Sequence, residues 1–336
     1  MKLLLIYKDF RAANPGVSHV GLGVTSKNTA AVLKREGIDA ESYGVISFGD
    51  IVKRLSFNDV THCVIGAPWV SVVEMETLIT TFKDVKFART SHSNFGFLAA
   101  EPPAIKLLRG YKELQDKYPN FTVAGNCDRF THAWGRMYNT HVLYLPNLYN
   151  LEGAKSLPAV RIDDTLRIGI FGSIRPLKNF VSAVAACIDI STRVNKKVDI
   201  YLSSGRDEGH GALTNRAIDE LVIGLPNVKL IRSVWRDHSA FRQLVGSMDL
   251  LMQPSYTETF NMVSADGVAE GVPSVVSEVI TWTPRSWIAP IDDVGKIAWT
   301  GLELLLHRGE EALAGLNYLQ WYVADGLKYW RKWLND

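Results

Sequence analysis

The stretch that decides the fold is QPSYTETFNMVSADGVAEGVPSVVS, residues 253–277. An apolar strand ends at Pro254, a polar loop carries Glu258, and a helix is predicted to begin near Phe260. The free N–H groups of such a helix start suit a phosphate group. Glu258 and Asp266 are carboxylates, which are better suited to accepting hydrogen bonds from sugar hydroxyls than to holding a phosphate. The alternative is that Glu258 caps the helix and that Asp266 is a surface charge.

Short apolar runs and helical segments alternate along the rest of the chain. One series of strands runs from Leu3–Tyr7 to His141–Leu145. The later strands are rich in apolar residues, which is typical of parallel strands covered on both faces. They are Leu166–Phe171, Lys197–Ser203, Val228–Ile231, Leu250–Gln253 and Ser274–Ser277. Two such series predict an α/β fold of two Rossmann-like, doubly wound domains that face a central cleft, with residues 150–165 as the linker.

The composition is that of an ordinary globular protein. Its 336 residues are 47% hydrophobic and 21% charged, which excludes wholesale disorder. The N-terminal apolar run is too short for a signal peptide, and the three cysteines are too widely spaced for a disulfide framework or a structural zinc site. We therefore expect a cytoplasmic protein without stable membrane insertion.

The charges are distributed unevenly between the two halves of the chain. Residues 1–155 carry 18 Lys and Arg against 14 Asp and Glu, whereas residues 156–336 carry 19 against 21. The excess in the first half hints at an anionic partner there, although an ordinary solvated surface explains it as well.

A second motif follows the first strand of the later series. It reads IGIFGSIRPLKN, residues 168–179. A glycine turn at Gly172, followed by Arg175 and Lys178 at a helix start, provides both the donors and the positive charge that a diphosphate needs. The alternative is a solvated basic turn.

Residues 253–277 resemble the signature of the retaining, nucleotide-sugar-dependent glycosyltransferases of the GT-B fold, the group 1 type with seven residues between two glutamates. Asp266 stands where this family has its second Glu, and Asn261 where it usually has Gly. The resemblance implies that Glu258 is catalytic and contacts the transferred sugar, and that Asp266 contacts the ribose of the nucleotide.

The resemblance also implies further contacts with the donor. Residues 168–179 are similar to the family's Gly-Arg…Lys-Gly loop, so Gly172, Arg175 and Lys178 are expected at the diphosphate, although Ser173 stands where the Arg usually does. The start of the following helix is expected to bind the donor too, through Phe260, Asn261 and Met262.

In the first half the resemblance is looser. It implies that a glycine of the loop 14–23 lies near the diphosphate, with Gly21 and Gly23 as donor-binding candidates beside Gly16, and that His92 is a second catalytic residue facing the donor sugar. A plain flexible loop and a histidine without function are the alternatives. The aromatic tail, residues 319–334, looks like the family's C-terminal helix.

The implied domains are an acceptor-binding domain at 1–155, a nucleotide-sugar-binding domain at 156–315, and a helix at 316–336 that crosses back to the first domain. Lys106, Arg109, Lys112 and Lys117 are predicted to share one helix of the first domain.

The resemblance implies an enzyme, a hexosyl- or pentosyltransferase that moves a sugar from a nucleoside diphosphate sugar to a hydroxyl acceptor with retention. The sequence has no Asp-x-Asp motif, so we expect neither a metal ion nor any cofactor besides the donor. The expected partners are the nucleotide sugar and an acceptor glycan or lipid-linked sugar. Three alternatives remain open: a phage-type enzyme that glycosylates a hydroxylated base in DNA, a nucleotide-sugar epimerase, and a non-catalytic nucleotide-sugar-binding protein.

Overall fold

The structure is a computed structural model that describes residues 2–9, 20–99, 101–160, 164–205, 207–234 and 236–336. The chain divides into two compact units. Unit 1 comprises Met1–Asn150 and Val323–Asp336, and unit 2 comprises Leu151–Tyr322. Gly16 lies outside the described residues.

Unit 1 contains a six-stranded parallel sheet in the order β2-β1-β3-β4-β5-β6. Its elements are β1 (Lys2–Lys8), α1 (Val20–Arg35), β2 (Asp39–Val45), α2 (Phe48–Leu55), β3 (His62–Ile65), α3 (Val72–Thr81), β4 (Lys86–Ser91), α4 (Phe95–Leu98), α5 (Pro102–Lys117), β5 (Phe121–Gly125), α6 (Asp128–Tyr138) and β6 (Leu143–Tyr144). The strand predicted at 141–145 is thus only two residues long.

Unit 2 contains a five-stranded parallel sheet in the order β11-β10-β7-β8-β9. Its elements are β7 (Leu166–Ile170), a 3-10 turn (Pro176–Lys178), α7 (Phe180–Val194), β8 (Val198–Ser203), α8 (Gly211–Val222), β9 (Val228–Ser233), α9 (His238–Gly246), β10 (Leu250–Gln253), α10 (Met262–Ala269), β11 (Ser274–Val276), a second 3-10 turn (Arg285–Trp287) and α11 (Val294–Leu306). The parallel α/β fold predicted from the apolar runs is confirmed in both units.

The last helix, α12, runs from Arg308 to Asn335, so it begins eight residues before the predicted position at 316. In unit 1 its Trp330 is buried and donates a hydrogen bond to the carbonyl of Pro146, at 2.9 Å. The ring of Trp333 lies 5.1 Å from that of His62, edge to face. Trp321 is exposed, so not every aromatic residue of the tail contributes to a core.

Candidate active site

The order of the strands locates the site in unit 2. The chain winds in opposite directions from β7, and the loops that leave β7 and its neighbour β10 therefore diverge. Ligands of open α/β sheets bind at such a switch point, at the carboxyl ends of the strands. Both motifs of the sequence lie there: one follows β7 and the other follows β10.

A buried ion pair joins the two loops. Nζ of Lys178 contacts Oε1 of Glu258, and the two side chains are only 12% and 11% exposed. The same carboxylate oxygen accepts hydrogen bonds from Nδ2 of Asn261 and Oγ of Ser255, each at 3.3 Å. The lysine and the glutamate singled out from separate motifs are therefore neighbours.

Two asparagines stabilise these loops through side-chain hydrogen bonds, and both have a left-handed backbone conformation. Asn179, at φ +57°, donates to the carbonyls of Pro254 (3.1 Å) and Ile291 (2.7 Å). Asn261, at φ +66°, donates to Oε1 of Gln253 at 3.1 Å, in addition to its bond with Glu258. The family's glycine is thus replaced at 261 by a residue that tolerates positive φ and adds side-chain hydrogen bonds.

Asn261 is also the N-cap of α10, because its Oδ1 accepts from the N–H of Ser264 at 2.9 Å. The helix begins at Met262 rather than near Phe260. The alternative in which Glu258 caps this helix is wrong. Phe260 is buried, with its ring stacked 5.2 Å from that of Trp282, so its side chain is part of the core beneath the loop.

The second carboxylate is deeply buried and paired. Asp266 is 1% exposed, so the alternative of a surface charge is wrong. It is the fifth residue of α10, and therefore lies about one turn from the helix start. Its Oδ1 lies 2.9 Å from Nε2 of His238, the first residue of α9. His238 lies outside both sequence motifs.

Gly172 leaves β7 with a φ of +127°, which favours glycine. Its N–H donates to Oγ of Ser203 at 3.1 Å, and a Cβ placed there would lie 3.7 Å from Cε of Lys178. Arg175 points to a different partner, since its Nη1 lies 3.1 Å from Oε2 of Glu208. Of the two cations in this motif, only Lys178 contacts Glu258.

The remaining predicted residues belong to unit 1. Gly21 and Gly23 lie in α1 rather than in a loop. A Cβ on Gly23 would approach Cε2 of Tyr7 at 3.0 Å, whereas one on Gly21 would meet no heavy atom within 4 Å, so only Gly23 is required by packing.

His92 follows β4 and lines a cavity of about 40 Å³ in unit 1, together with Gly66 and Asn147. Its Nδ1 lies 3.4 Å from Nδ2 of Asn126. Burial, reinforced by the charge of Arg89, lowers the pKa of His92 to about 4. The imidazole is therefore neutral near pH 7.

The four predicted cations of the first domain do share one helix, α5. Lys112 forms an ion pair with Asp116 on the same helix, and Nζ of Lys117 lies 2.7 Å from Glu76. Their charge is thus partly neutralised, which weakens the argument for a basic surface.

Neither a metal-ligand cluster nor a membrane-spanning helix is found among the described residues. They contain no cluster of three or more His, Cys, Asp or Glu side chains that could hold a metal ion. In the same part of the chain, every helix is too short or too polar to span a bilayer.

Solved structures with similar folds are GT-B glycosyltransferases. A glycosyltransferase from Rickettsia africae matches with a TM-score of 0.62 at 12% identity, over 100% of this chain and 99% of that one. Sucrose-phosphate synthase from Thermosynechococcus elongatus matches with a TM-score of 0.67 at 14% identity. Anabaena HepE, crystallised with UDP and glucose, matches with a TM-score of 0.63 at 12% identity. Both matches cover 100% of this chain and 99% of the other. At such identities these matches show the fold, which is GT-B.

One segment of the chain matches a family model. Residues 137–280 match the family described as "GT4-conflict: Family 4 Glycosyltransferase in conflict systems", and this segment contains both motifs. A search of the curated proteins finds no match. The resemblance seen in the sequence is confirmed for this segment, which matches a glycosyltransferase family, and the fold is GT-B.

Proposed function

We propose that this glycosyltransferase moves a sugar from a nucleoside diphosphate sugar to a hydroxyl acceptor, with retention and without a metal ion. The observation that carries the proposal is the buried pair of Lys178 and Glu258 at the switch point. One bond joins the diphosphate and the sugar of the donor. The cation that binds the diphosphate and the carboxylate that binds the sugar must therefore be adjacent.

In this proposal Lys178 binds the diphosphate without releasing Glu258. An ammonium group has three N–H donors, so it can bond to the carboxylate and to phosphate oxygens together. Gly172, whose own N–H is bonded to Ser203, shapes the loop that carries Lys178, and the first N–H groups of α10, at Met262 and Val263, add further donors. Arg175, held by Glu208, contributes its charge from the edge of the site.

Glu258 then accepts a hydrogen bond from a hydroxyl of the transferred sugar. One of its oxygens, Oε1, receives the bonds from Lys178, Asn261 and Ser255. These bonds fix the carboxylate in one orientation, and Oε2 is the oxygen that we assign to the sugar. Such preorganisation stabilises a transition state because little rearrangement remains when charge develops.

The reaction follows from these contacts. The bond between the anomeric carbon and the diphosphate oxygen breaks, and its electron pair stays with the diphosphate. The acceptor oxygen bonds to the same face of that carbon, and its proton passes to the departing phosphate oxygen. Lys178 and the start of α10 stabilise the charge that a metal ion would otherwise neutralise. For His92 of unit 1 we keep a proposed catalytic role, as a neutral imidazole.

The relatives support a nucleotide donor. HepE was crystallised with UDP and glucose, and a Staphylococcus aureus protein of similar fold, TarM, with UDP and a glycosylated glycerol. For the acceptor we propose a glycan or a lipid-linked sugar. The family description mentions conflict systems, which keeps a hydroxylated base in DNA as the second candidate.

The test measures turnover of a panel of UDP-, ADP- and GDP-sugars. Turnover is monitored by release of the nucleoside diphosphate, and the sugar product is characterised by proton NMR. We expect one donor to be consumed and the product to keep the donor's anomeric configuration. Glu258→Gln should abolish turnover, whereas Glu278→Gln, at an exposed glutamate of the same unit, should not. An inverted product would refute retention, and equal turnover by the two variants would refute the role of Glu258.

The acceptor is tested separately, by anisotropy titration of duplex DNA at two salt concentrations. A DNA acceptor requires binding that weakens steeply with salt, because each neutralised phosphate contributes a slope of about −0.9 in log K against log salt. We expect binding weaker than about 10⁻⁴ M even at low salt. Tight, salt-dependent binding would favour the DNA candidate instead.

A further inference from the structure

The pair formed by Asp266 and His238 has unequal access to solvent. The carboxylate of Asp266 is almost completely buried, whereas the side chain of His238 is 32% exposed. Nε2 of the imidazole lies 2.9 Å from Oδ1 of the carboxylate. Of the two groups, the imidazole is the one that a ligand can reach.

The backbone holds this imidazole at the edge of the sheet where ligands bind. His238 is the first residue of α9, whose N-cap, Asp237, accepts a hydrogen bond from Ala240 N at 2.9 Å. α9 follows β9 and packs against α10, which follows β10. Both helices therefore start at the carboxyl edge of the sheet, on the same side as the loop of Glu258.

The length of the acidic side chain is the second observation. The position of Asp266 holds the longer Glu in the family that the motif resembles, and this chain has lost one methylene group there. A shorter, buried carboxylate that already bonds to an imidazole is poorly placed to contact a nucleotide itself. The imidazole extends from it toward solvent and restores the lost reach.

We propose that His238, oriented by Asp266, is the residue that hydrogen-bonds the ribose of the bound nucleotide. The proposal rests on the proposed nucleotide-sugar donor. A carboxylate accepts hydrogen bonds, so Nε2 is the ring nitrogen that donates to Asp266, and Nδ1 is the ring nitrogen left for the ligand. Nδ1 forms a hydrogen bond with a ribose hydroxyl.

The experiment compares ribonucleotides with their deoxy forms by titration calorimetry. The probes are UDP, ADP and GDP with the 2′-deoxy and 3′-deoxy form of whichever binds best. In the wild type at least one deoxy form should bind about 3- to 10-fold more weakly, the scale of one hydrogen bond. We call the Kd of the deoxy form divided by the Kd of the ribonucleotide the deoxy ratio. In His238→Ala this ratio should fall to about 1, and the affinity for the ribonucleotide should fall by a similar factor.

Two further variants separate recognition from folding. His238→Gln keeps a donor for Asp266 and should fold like the wild type, with part of the ratio retained. His307→Ala removes a histidine of unit 2 that is half exposed at the end of α11, and should keep the whole ratio. A general loss of structure would weaken the binding of the ribonucleotide and of its deoxy forms equally, so the ratio reports the ribose contact alone.

A ratio that persists in folded His238→Ala would overturn the proposal, because another group would then read the ribose. A wild type that binds ribose and both deoxy forms equally would overturn it as well. If none of the three nucleotides binds the wild type, the proposed donor has failed first, and this proposal fails with it.

Discussion

Replacing Lys178 by methionine tests whether its pair with Glu258 serves catalysis or only the fold. Methionine has a similar length and removes the charge. The carboxylate of Glu258, 11% exposed, would then lose its cation but keep its two 3.3 Å hydrogen bonds, from Asn261 and Ser255. Removing one partner of a buried ion pair costs about 3–5 kcal/mol, and the remaining bonds set the expected cost at about 3 kcal/mol.

This cost is large enough to measure by thermal unfolding. In a domain of 150–250 residues, the size range of unit 2, 1 kcal/mol shifts Tm by about 2–4 °C, so Lys178→Met should lower Tm by about 6–12 °C. Turnover should fall by about 10²–10³-fold, the scale for losing one preorganised charge at a transition state.

The double variant Lys178→Met, Glu258→Gln separates the two roles. It leaves no unpaired charge, so Tm should return to within about 2–4 °C of the wild type, whereas turnover should stay abolished. Turnover would be measured through the release of the nucleoside diphosphate. A double variant that regains turnover would show that the pair is only structural. A double variant that loses the sum of the two single shifts would show that the residues are not paired at all.

Three further predictions concern other groups. Turnover should survive a chelator such as EDTA, because the proposed mechanism stabilises the diphosphate with Lys178 and helix α10; loss in EDTA with recovery in manganese or magnesium would contradict it. Asn261→Gly keeps the φ of +66° accessible but frees Glu258 from one hydrogen bond, so kcat should fall several-fold while the donor's KM changes little; unchanged kcat would show that this bond does not matter. Burial and the charge of Lys86 lower the pKa of His62 to about 4, so below pH 6.5 the unfolded chain takes up a proton that the folded unit does not. The free energy of unfolding of unit 1 should therefore fall by about 2 kcal/mol between pH 7 and 5 because of this group. His62→Leu should show a correspondingly smaller fall in Tm over this pH range than the wild type. An identical fall in both proteins would mean that His62 is not buried as a neutral group.

Much of the fold could be predicted because the evidence for it is local. The run Leu250–Met252 is apolar throughout, so it had to be covered on both faces, and all three residues are buried. The helices α2 and α3 also carry a local signal in the sequence. Each begins with a capping box, from Ser47 to Asp50 and from Ser71 to Glu74.

The site was only partly predictable because its pairs are distant in sequence. Glu258 and Lys178 could each be identified by motif, but they are 80 positions apart in the sequence, so the motifs do not show that the two side chains touch. His238 had no motif at all, since its partner Asp266 lies 28 residues away and meets it only because α9 packs against α10. The short Asp in place of Glu was the one sign in the sequence that another side chain was needed.

The proposed nucleotide-sugar donor is tested most directly by thermal unfolding of the wild type in a panel of nucleotide sugars. A donor at 100 times its Kd adds about 2.7 kcal/mol, which corresponds to a rise in Tm of about 5–11 °C for a unit of this size. We predict such a rise for at least one nucleotide sugar, and a much smaller rise for the same compound in the Lys178→Met variant. No rise with any nucleotide sugar, or an equal rise in both proteins, would contradict the account.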